Sequence, residues 1–192
     1  MDRRTMMIGT AALAAAGLRA PQACAGDPPP SPALSGLFDQ FMKERLDLSP
    51  MDATSYGLDT GARAHQKHEV DDGSLAGNQA QKIVTASQLT RLKALDRSTL
   101  SKADATSYDV VLYDLSTSDA ANRLCDYGLP GGGDPYALSQ LNGSYQYLPR
   151  FLGNQHTIDS AADAEAYLDR LNGFDNCWIR NLRSHGTMLL RV

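Results

Sequence analysis

The feature that most limits the fold is the spacing of apolar residues, which follows a helical period in every long apolar segment. Leucine occurs 25 times, against 9 for isoleucine and valine together, so few of the β-branched residues that favour strands are present. We therefore expect an all-α fold, an irregular bundle of about five to six helices with long loops. The clearest helical pattern is formed by Leu34, Leu37, Phe38, Phe41, Met42, Leu46 and Leu48.

The first 25 residues have the order of parts found in a secretory signal peptide. Arg3 and Arg4 precede an apolar run over 6–18, which at 13 residues is short of the roughly 20 needed to span a bilayer. The arginine pair resembles a twin-arginine export signal. We expect cleavage after Ala25 and an exported, periplasmic or secreted protein with no stable membrane span. A retained amphipathic helix and a lipoprotein cleaved at Cys24 are the alternatives.

The proposed mature chain begins with a proline-rich linker over 26–33, followed by a folded part over 34–192. Helices are predicted over 34–48 and 50–56, after the capping residues Ser74 and Ser101, and over 159–171 and 174–190. The helices after Ser74 and Ser101 are joined by a short connection, which predicts antiparallel packing. The polar segment 57–73 and the glycine- and proline-rich segment 124–146 are predicted to be loops.

The charge balance argues against a nucleic-acid partner. The formal net charge is −4, and the chain has only five lysines, so no basic surface is available to neutralise phosphates.

Two cysteines, Cys125 and Cys177, remain after the predicted cleavage. An oxidising compartment would allow them to form a disulfide, but two buried free thiols fit the sequence equally well. Two cysteines cannot form a multi-cysteine metal site.

Motifs for catalysis are mostly missing from the sequence. His65 and His68 lack the spacing of a helical H-E-x-x-H zinc site and are interpreted as part of a polar loop. Asp71 and Asp72 are interpreted as a solvated pair on that loop. His156 lies between an apolar stretch and the start of a helix, so it is either a pocket residue or a structural histidine with its hydrogen bonds satisfied. The candidate pocket residues are His156, Tyr145 and Gln155.

Three stretches of the chain carry a resemblance to a known family. They are residues 37–58 with Leu48-Ser49-Pro50, residues 91–115 with Leu95-Asp96-Arg97, and residues 135–171 with Gln140-Leu141-Asn142-Gly143-Ser144-Tyr145 and Tyr167-Leu168-Asp169-Arg170. These stretches resemble the N-terminal portion of a bacterial family known as domain of unknown function 885, over about 34 to 190.

The resemblance implies an exported, largely helical, zinc-dependent peptidase, whose metal-binding His-Glu helix lies in the C-terminal half of a longer chain. Such a helix has no counterpart here. The resemblance therefore implies the N-terminal part of a metallopeptidase-like fold, with no catalytic residue, metal ligand or cofactor in this chain. Zinc is implied for the full-length family. The implied partners are a C-terminal catalytic half and, in the full-length protein, a peptide substrate.

Two functions from different classes are compatible with this sequence. The first is the helical segment of a metallopeptidase-like hydrolase, inactive alone, whose helices form one side of a substrate cleft. The second is a standalone, non-enzymatic helical binding or scaffold protein of the cell envelope. Coding DNA that continues beyond the codon for Val192 into a His-Glu helix would favour the first.

Overall fold

The computed structural model describes residues 31–124, 129–132 and 143–174. Within these residues every regular element is a helix, so the predicted all-α class and irregular bundle are confirmed. No helix in this part of the chain is both long and apolar enough to cross a membrane. The α-helices are α1 (Pro32–Leu48), α2 (Pro50–Ser55), α3 (Leu75–Lys93), α4 (Lys102–Leu124), α5 (Ser144–Asn154) and α6 (161–174).

Short 3-10 helices at Gly61–His68 and Arg97–Thr99 join these α-helices, and Pro130–Gly132 forms a tight turn in which Gly131 has a φ of 83°. The first contradicts the sequence interpretation of 57–73 as a loop without regular structure. This helix shows no apolar period because a polar tertiary contact, and not an apolar face, attaches it to the bundle. Gln66 is buried, and its side-chain amide donates to the backbone carbonyl of Leu46 at 2.7 Å. A hydrogen bond to a backbone carbonyl 20 residues away cannot be predicted from the local spacing of apolar residues.

The helix ends confirm the predicted capping residues Ser74 and Ser101. Ser74 accepts a hydrogen bond from the Gly77 amide at 3.1 Å, and Ser101 exchanges two hydrogen bonds with Asp104. Helix α1 begins at Pro32, two residues before the predicted start. Proline is tolerated at the first helical position because the backbone N–H that it lacks would have no partner within the helix there. The predicted helix over 174–190 lies almost wholly outside the described residues.

The main core lies between α1, α3 and α4. Leu92 near the end of α3 and Tyr108 near the start of α4 belong to the same core cluster, as expected for two antiparallel helices. The Ser31 amide also donates to the carboxylate of Asp104 at 3.1 Å, which fixes the start of α1 to the first turn of α4. The buried residues of this core are Leu34, Phe41, Leu89, Leu92, Tyr108 and Leu115.

A second, smaller core joins α2 to α5 and α6. Its buried members are Met51, Leu148, Phe151 and Leu152, and Val70, Tyr167 and Phe174 pack around them. The bundle therefore has two apolar centres, and Met51 of α2 and Val70 of the segment after it belong to the second.

Candidate functional site

A polar cleft of about 380 Å³ opens between α1, α3 and α4. Its volume is near the lower end of the range of small-ligand pockets. The end of α1, the start of α2 and Asp71 form one side, and the turn at Pro130 and Gly131 lines one edge. The charged and polar side chains that line the cleft are those of Arg45, Ser49, Asp52, Asp71, Gln81, Thr85, Gln88, Asp114 and Ser118.

Asp71 is part of the cleft wall, so the interpretation of Asp71 and Asp72 as a solvated pair is wrong for Asp71. One carboxylate oxygen accepts from the Ser49 hydroxyl at 2.7 Å, and the other accepts from the Met51 amide at 2.9 Å. The carboxylate thus satisfies a donor at the start of α2. Burial raises the pKa of Asp71, and its two hydrogen bonds oppose that rise only in part.

Arg45 is the cation among the side chains of the cleft, and its guanidinium lies 2.9 Å from the carboxylate of Asp52. Burial lowers the pKa of Arg45, but the hydrogen bond to Asp52 and the charges of Asp52 and Asp114 outweigh it, so the pKa is raised overall. Arg45 thus interacts with the carboxylates of Asp52 and Asp114, whereas Asp71 interacts with Arg170, which lies outside the cleft. The side chains of the cleft itself carry one cation and three carboxylates. With these carboxylates charged, the excess of negative charge suits a ligand with a cationic group.

Arg170 of α6 is the centre of a second polar cluster, which lies outside the cleft. The side chain is fully buried, and its guanidinium binds four different groups. Nε donates to the carbonyl of Glu69 at 2.8 Å, and Nη1 donates to the His156 ring at 2.8 Å. Nη2 donates to the Thr54 hydroxyl at 2.6 Å and to the carbonyl of Gln66 at 2.9 Å. Arg170 thereby joins α6 to α2 and to the 3-10 helix Gly61–His68.

The surroundings of Arg170 compensate for burying a cation. Burial lowers its pKa to about 10, while the charges of Asp59, Asp71 and Glu69 oppose that shift. The Thr54 hydroxyl connects Arg170 to Asp59. It accepts a hydrogen bond from the guanidinium and donates one to the buried Asp59 carboxylate at 2.9 Å. The guanidinium also lies 4.9 Å from the centre of the Phe151 ring. At a pKa near 10 the side chain is charged at neutral pH.

His156 is buried, and both of its ring nitrogens have partners. A guanidinium N–H can only donate, so Nδ1 accepts from Arg170 and Nε2 donates to the carbonyl of Asp163 at 2.9 Å. This arrangement requires the neutral ring with its proton on Nε2. The ring also contacts Tyr167 edge to face at 5.4 Å.

The three candidate pocket residues occupy different positions in and after α5. Tyr145 lies in the first turn of α5, Gln155 is exposed just after the last turn, and His156 faces Arg170. None of them lines the cleft. A pocket role for them stays a prediction, and so does the disulfide, because Cys125 and Cys177 lie outside the described residues.

The described residues do not fit the zinc site that the family resemblance implies for the full-length protein. Within them, no three histidine, cysteine, aspartate or glutamate side chains cluster as metal ligands would. His65 is exposed on the 3-10 helix, and His68 contacts the Asp169 carboxylate at 2.6 Å. The Nδ1 atom of His156 already accepts a hydrogen bond from Arg170.

Sequence reasoning missed the role of Arg170, although one signal was present. Ala166, Arg170 and Phe174 recur every four residues, which places a charged residue on the apolar face of α6. A long cation on an apolar face indicates either a paired buried charge or a side chain that reaches out to solvent.

The family model described as "Bacterial protein of unknown function (DUF885)" matches residues 50–184. The chain belongs to this family. The match covers a narrower range than the resemblance over about 34 to 190, since α1 lies before it. No curated protein and no solved structure matches the sequence.

Proposed function

We propose that this DUF885 chain is the N-terminal helical segment of an exported zinc-metallopeptidase-like hydrolase, with the catalytic residues outside the chain. In this proposal the helices form one wall of a substrate site and hold part of a peptide. The observation that carries it is the polar cleft beside Arg45, Asp71 and Asp114. Its concave shape and its excess of carboxylates give it the chemistry to bind a cationic part of a peptide, such as a terminal amine or a lysine side chain.

The division between binding and chemistry is tested on the mature chain, residues 26–192, after dialysis. We expect neither stoichiometric zinc nor chelator-sensitive peptide cleavage, because a catalytic zinc needs about three protein ligands and an open position for water. Stoichiometric zinc together with chelator-sensitive turnover would show that the chemistry lies within this chain.

Peptide binding to the cleft is tested by calorimetry with trilysine and triglutamate as probes. We expect trilysine to bind and Asp114→Asn to weaken its binding by up to about fivefold, the value of one exposed ion pair. The matched control is Glu165→Gln, which removes an exposed carboxylate on α6, away from the cleft. Equal binding of both probes, or equal loss in both variants, would contradict a cationic ligand in the cleft.

The alternative function is that of a standalone binding or scaffold protein of the cell envelope. It would use the same cleft for binding, but the chain would not be part of a hydrolase. Reading the coding DNA beyond the codon for Val192 separates the two. Continuation into a His-Glu helix supports the hydrolase, and a stop codon there with no such helix in any frame supports the scaffold.

Export is tested by N-terminal sequencing of the exported protein, which should begin at Gly26. Replacing Arg3 and Arg4 together by lysine should block export by a twin-arginine route while the apolar segment stays unchanged. A lipid-modified Cys24 at the N-terminus, or a retained Met1, would show that the signal-peptide prediction is wrong.

A further inference from the structure

His156 is held between two groups that require opposite hydrogen-bonding roles of its ring. The Arg170 guanidinium can only donate, and the backbone carbonyl of Asp163 can only accept. Nδ1 of His156 lies 2.8 Å from Nη1 of Arg170, and Nε2 lies 2.9 Å from the Asp163 oxygen. A second ring proton, on Nδ1, would therefore place two N–H donors and two positive charges against each other.

Packing keeps the ring in this position. His156 and Arg170 are both buried, and the Tyr167 ring contacts the imidazole edge to face. The His156 amide donates to the Phe151 carbonyl at 3.3 Å, which holds the backbone at the end of α5. A doubly protonated ring is therefore accommodated most directly by a movement of α6, which carries both Arg170 and Asp163.

The negative charges around this pair favour a cation, but they do not provide an acceptor for the ring. Within the described residues, the hydrogen-bond partners of the imidazole are Arg170 and the Asp163 carbonyl, and the Asp163 carboxylate is engaged by Lys67. A buried N–H without an acceptor is costly. The charged and titratable groups packed around Arg170 and His156 are Asp59, Lys67, Glu69, Asp71, Asp163 and Tyr167.

The same guanidinium fixes α6 to two other elements. It binds the Thr54 hydroxyl of α2, the Gln66 carbonyl of the 3-10 helix Gly61–His68, and the Glu69 carbonyl just after that helix. A change at His156 thus acts directly on the side chain that holds α6 in place.

We propose that His156 is an acid-sensitive switch that controls the docking of α6 on α2 and on the 3-10 helix Gly61–His68. With the neutral ring, Arg170 keeps its four partners and α6 is docked. As the pH falls, Nδ1 takes up a proton from solvent in the undocked state, and the equilibrium shifts towards that state. This switch does not depend on the proposed hydrolase function.

The size of the effect follows from proton linkage. A solvated histidine ring titrates near pH 6.5, and here the undocked state binds more protons than the docked state. Docking is therefore strongest above about pH 7 and weakens as the pH falls. A ring that takes up its proton only in the undocked state raises the undocked population about tenfold between pH 7.5 and 5.5.

Hydrogen exchange of the backbone amides, followed by mass spectrometry of the mature protein, measures undocking. An undocked α6 exchanges readily, because an isolated helix of 14 residues is marginal in water. After correction for the intrinsic exchange rate at each pH, we expect α6 to lose about tenfold in protection between pH 7.5 and 5.5. Helices α3 and α4, which share the other core, should change little.

His156→Gln is the test variant, because glutamine supplies one acceptor and one donor but does not titrate in this range. We expect protection of α6 in this variant to be the same at both pH values. The matched control is His68→Gln, which removes a histidine that pairs with Asp169 of α6 in an exposed position. Protonation strengthens that pair, and exposed pairs contribute little, so the control should keep the wild-type response.

Several outcomes would overturn the proposal. They are a wild-type α6 whose protection does not depend on pH, an equal loss of protection in α3 and α4, and a response that His156→Gln keeps or that His68→Gln removes. A rise in α6 protection at pH 5.5 would show that Asp71, which titrates in the opposite sense, dominates. Circular dichroism checks that the variants fold. If His156→Gln does not fold, NMR of the wild-type ring nitrogens decides, because a ring that gains its second proton while α6 stays protected contradicts the switch.

Discussion

Arg170 and His156 form a buried hydrogen bond of 2.8 Å in which the cation donates and the neutral imidazole accepts. The two residues come from α6 and from the segment between α5 and α6, and their partners come from α2 and the 3-10 helix Gly61–His68. The pair thus connects the part of the bundle that borders the cleft with the part that does not. Its removal provides the most direct test of this architecture.

Replacing Arg170 by methionine should lower the free energy of unfolding by about 3 to 5 kcal/mol, the usual cost of breaking a buried charged cluster. The change leaves the Glu69 and Gln66 carbonyls without their donor and the Asp59 carboxylate without its nearby cation. Urea denaturation measures the effect. Arg150→Met is the matched control, because Arg150 is exposed on α5 and should change stability by less than about 0.5 kcal/mol. Equal stability of the two variants would contradict a structural role for Arg170.

Replacing His156 by phenylalanine should cost about 1 to 3 kcal/mol, because the Arg170 N–H and the Asp163 carbonyl lose their partner inside the protein. His156→Gln keeps one donor and one acceptor and should lose less. A double-mutant cycle with Arg170→Met should show coupling between the two positions. Loss of ligand binding without loss of stability in His156→Phe would instead support the pocket role.

Asp71 should make the protein less stable as the pH rises above the unfolded-state pKa of about 3.9 and through the higher folded-state pKa. Its pKa is raised by burial, so the folded state holds the proton more tightly than the unfolded state. That contribution is present at low pH and is lost as the pH rises through the folded-state pKa. Asp71→Asn should flatten this part of the stability curve, as measured by urea midpoints at several pH values. An unchanged slope would mean that the carboxylate is solvated.

Asp163 should have the opposite effect on the pH dependence of stability, making the protein less stable as the pH falls. Hydrogen bonds from Lys67 and Ser160 hold the pKa of this carboxyl well below its usual range, and the Asp159 amide adds to the effect. The charged form therefore contributes stability above the unfolded-state pKa of about 3.9, and this is lost as the pH falls through the folded-state value. Asp163→Asn should make acid unfolding less steep. Asp39→Asn on the exposed surface of α1 is the control and should leave the acid transition unchanged.

The sequence by itself determined the helical class and most of the helix starts. Pro32, Ser74 and the Ser101-Asp104 pair act within one helical turn, so their effect is complete in a few consecutive residues. The apolar spacing of α1 likewise identified Leu34 and Phe41 as core residues before any partner was known.

Only the tertiary structure decided the roles of Arg170, Asp71 and the segment Gly61–His68. Arg170 bonds to Thr54, 116 residues away, and to the Gln66 carbonyl, 104 residues away. Asp71 changes from a predicted solvated residue to part of the cleft wall because Ser49 and Met51 lie beside it. A polar side chain can be buried when distant groups satisfy its hydrogen bonds. The local sequence does not show which distant groups will lie beside it in the folded chain.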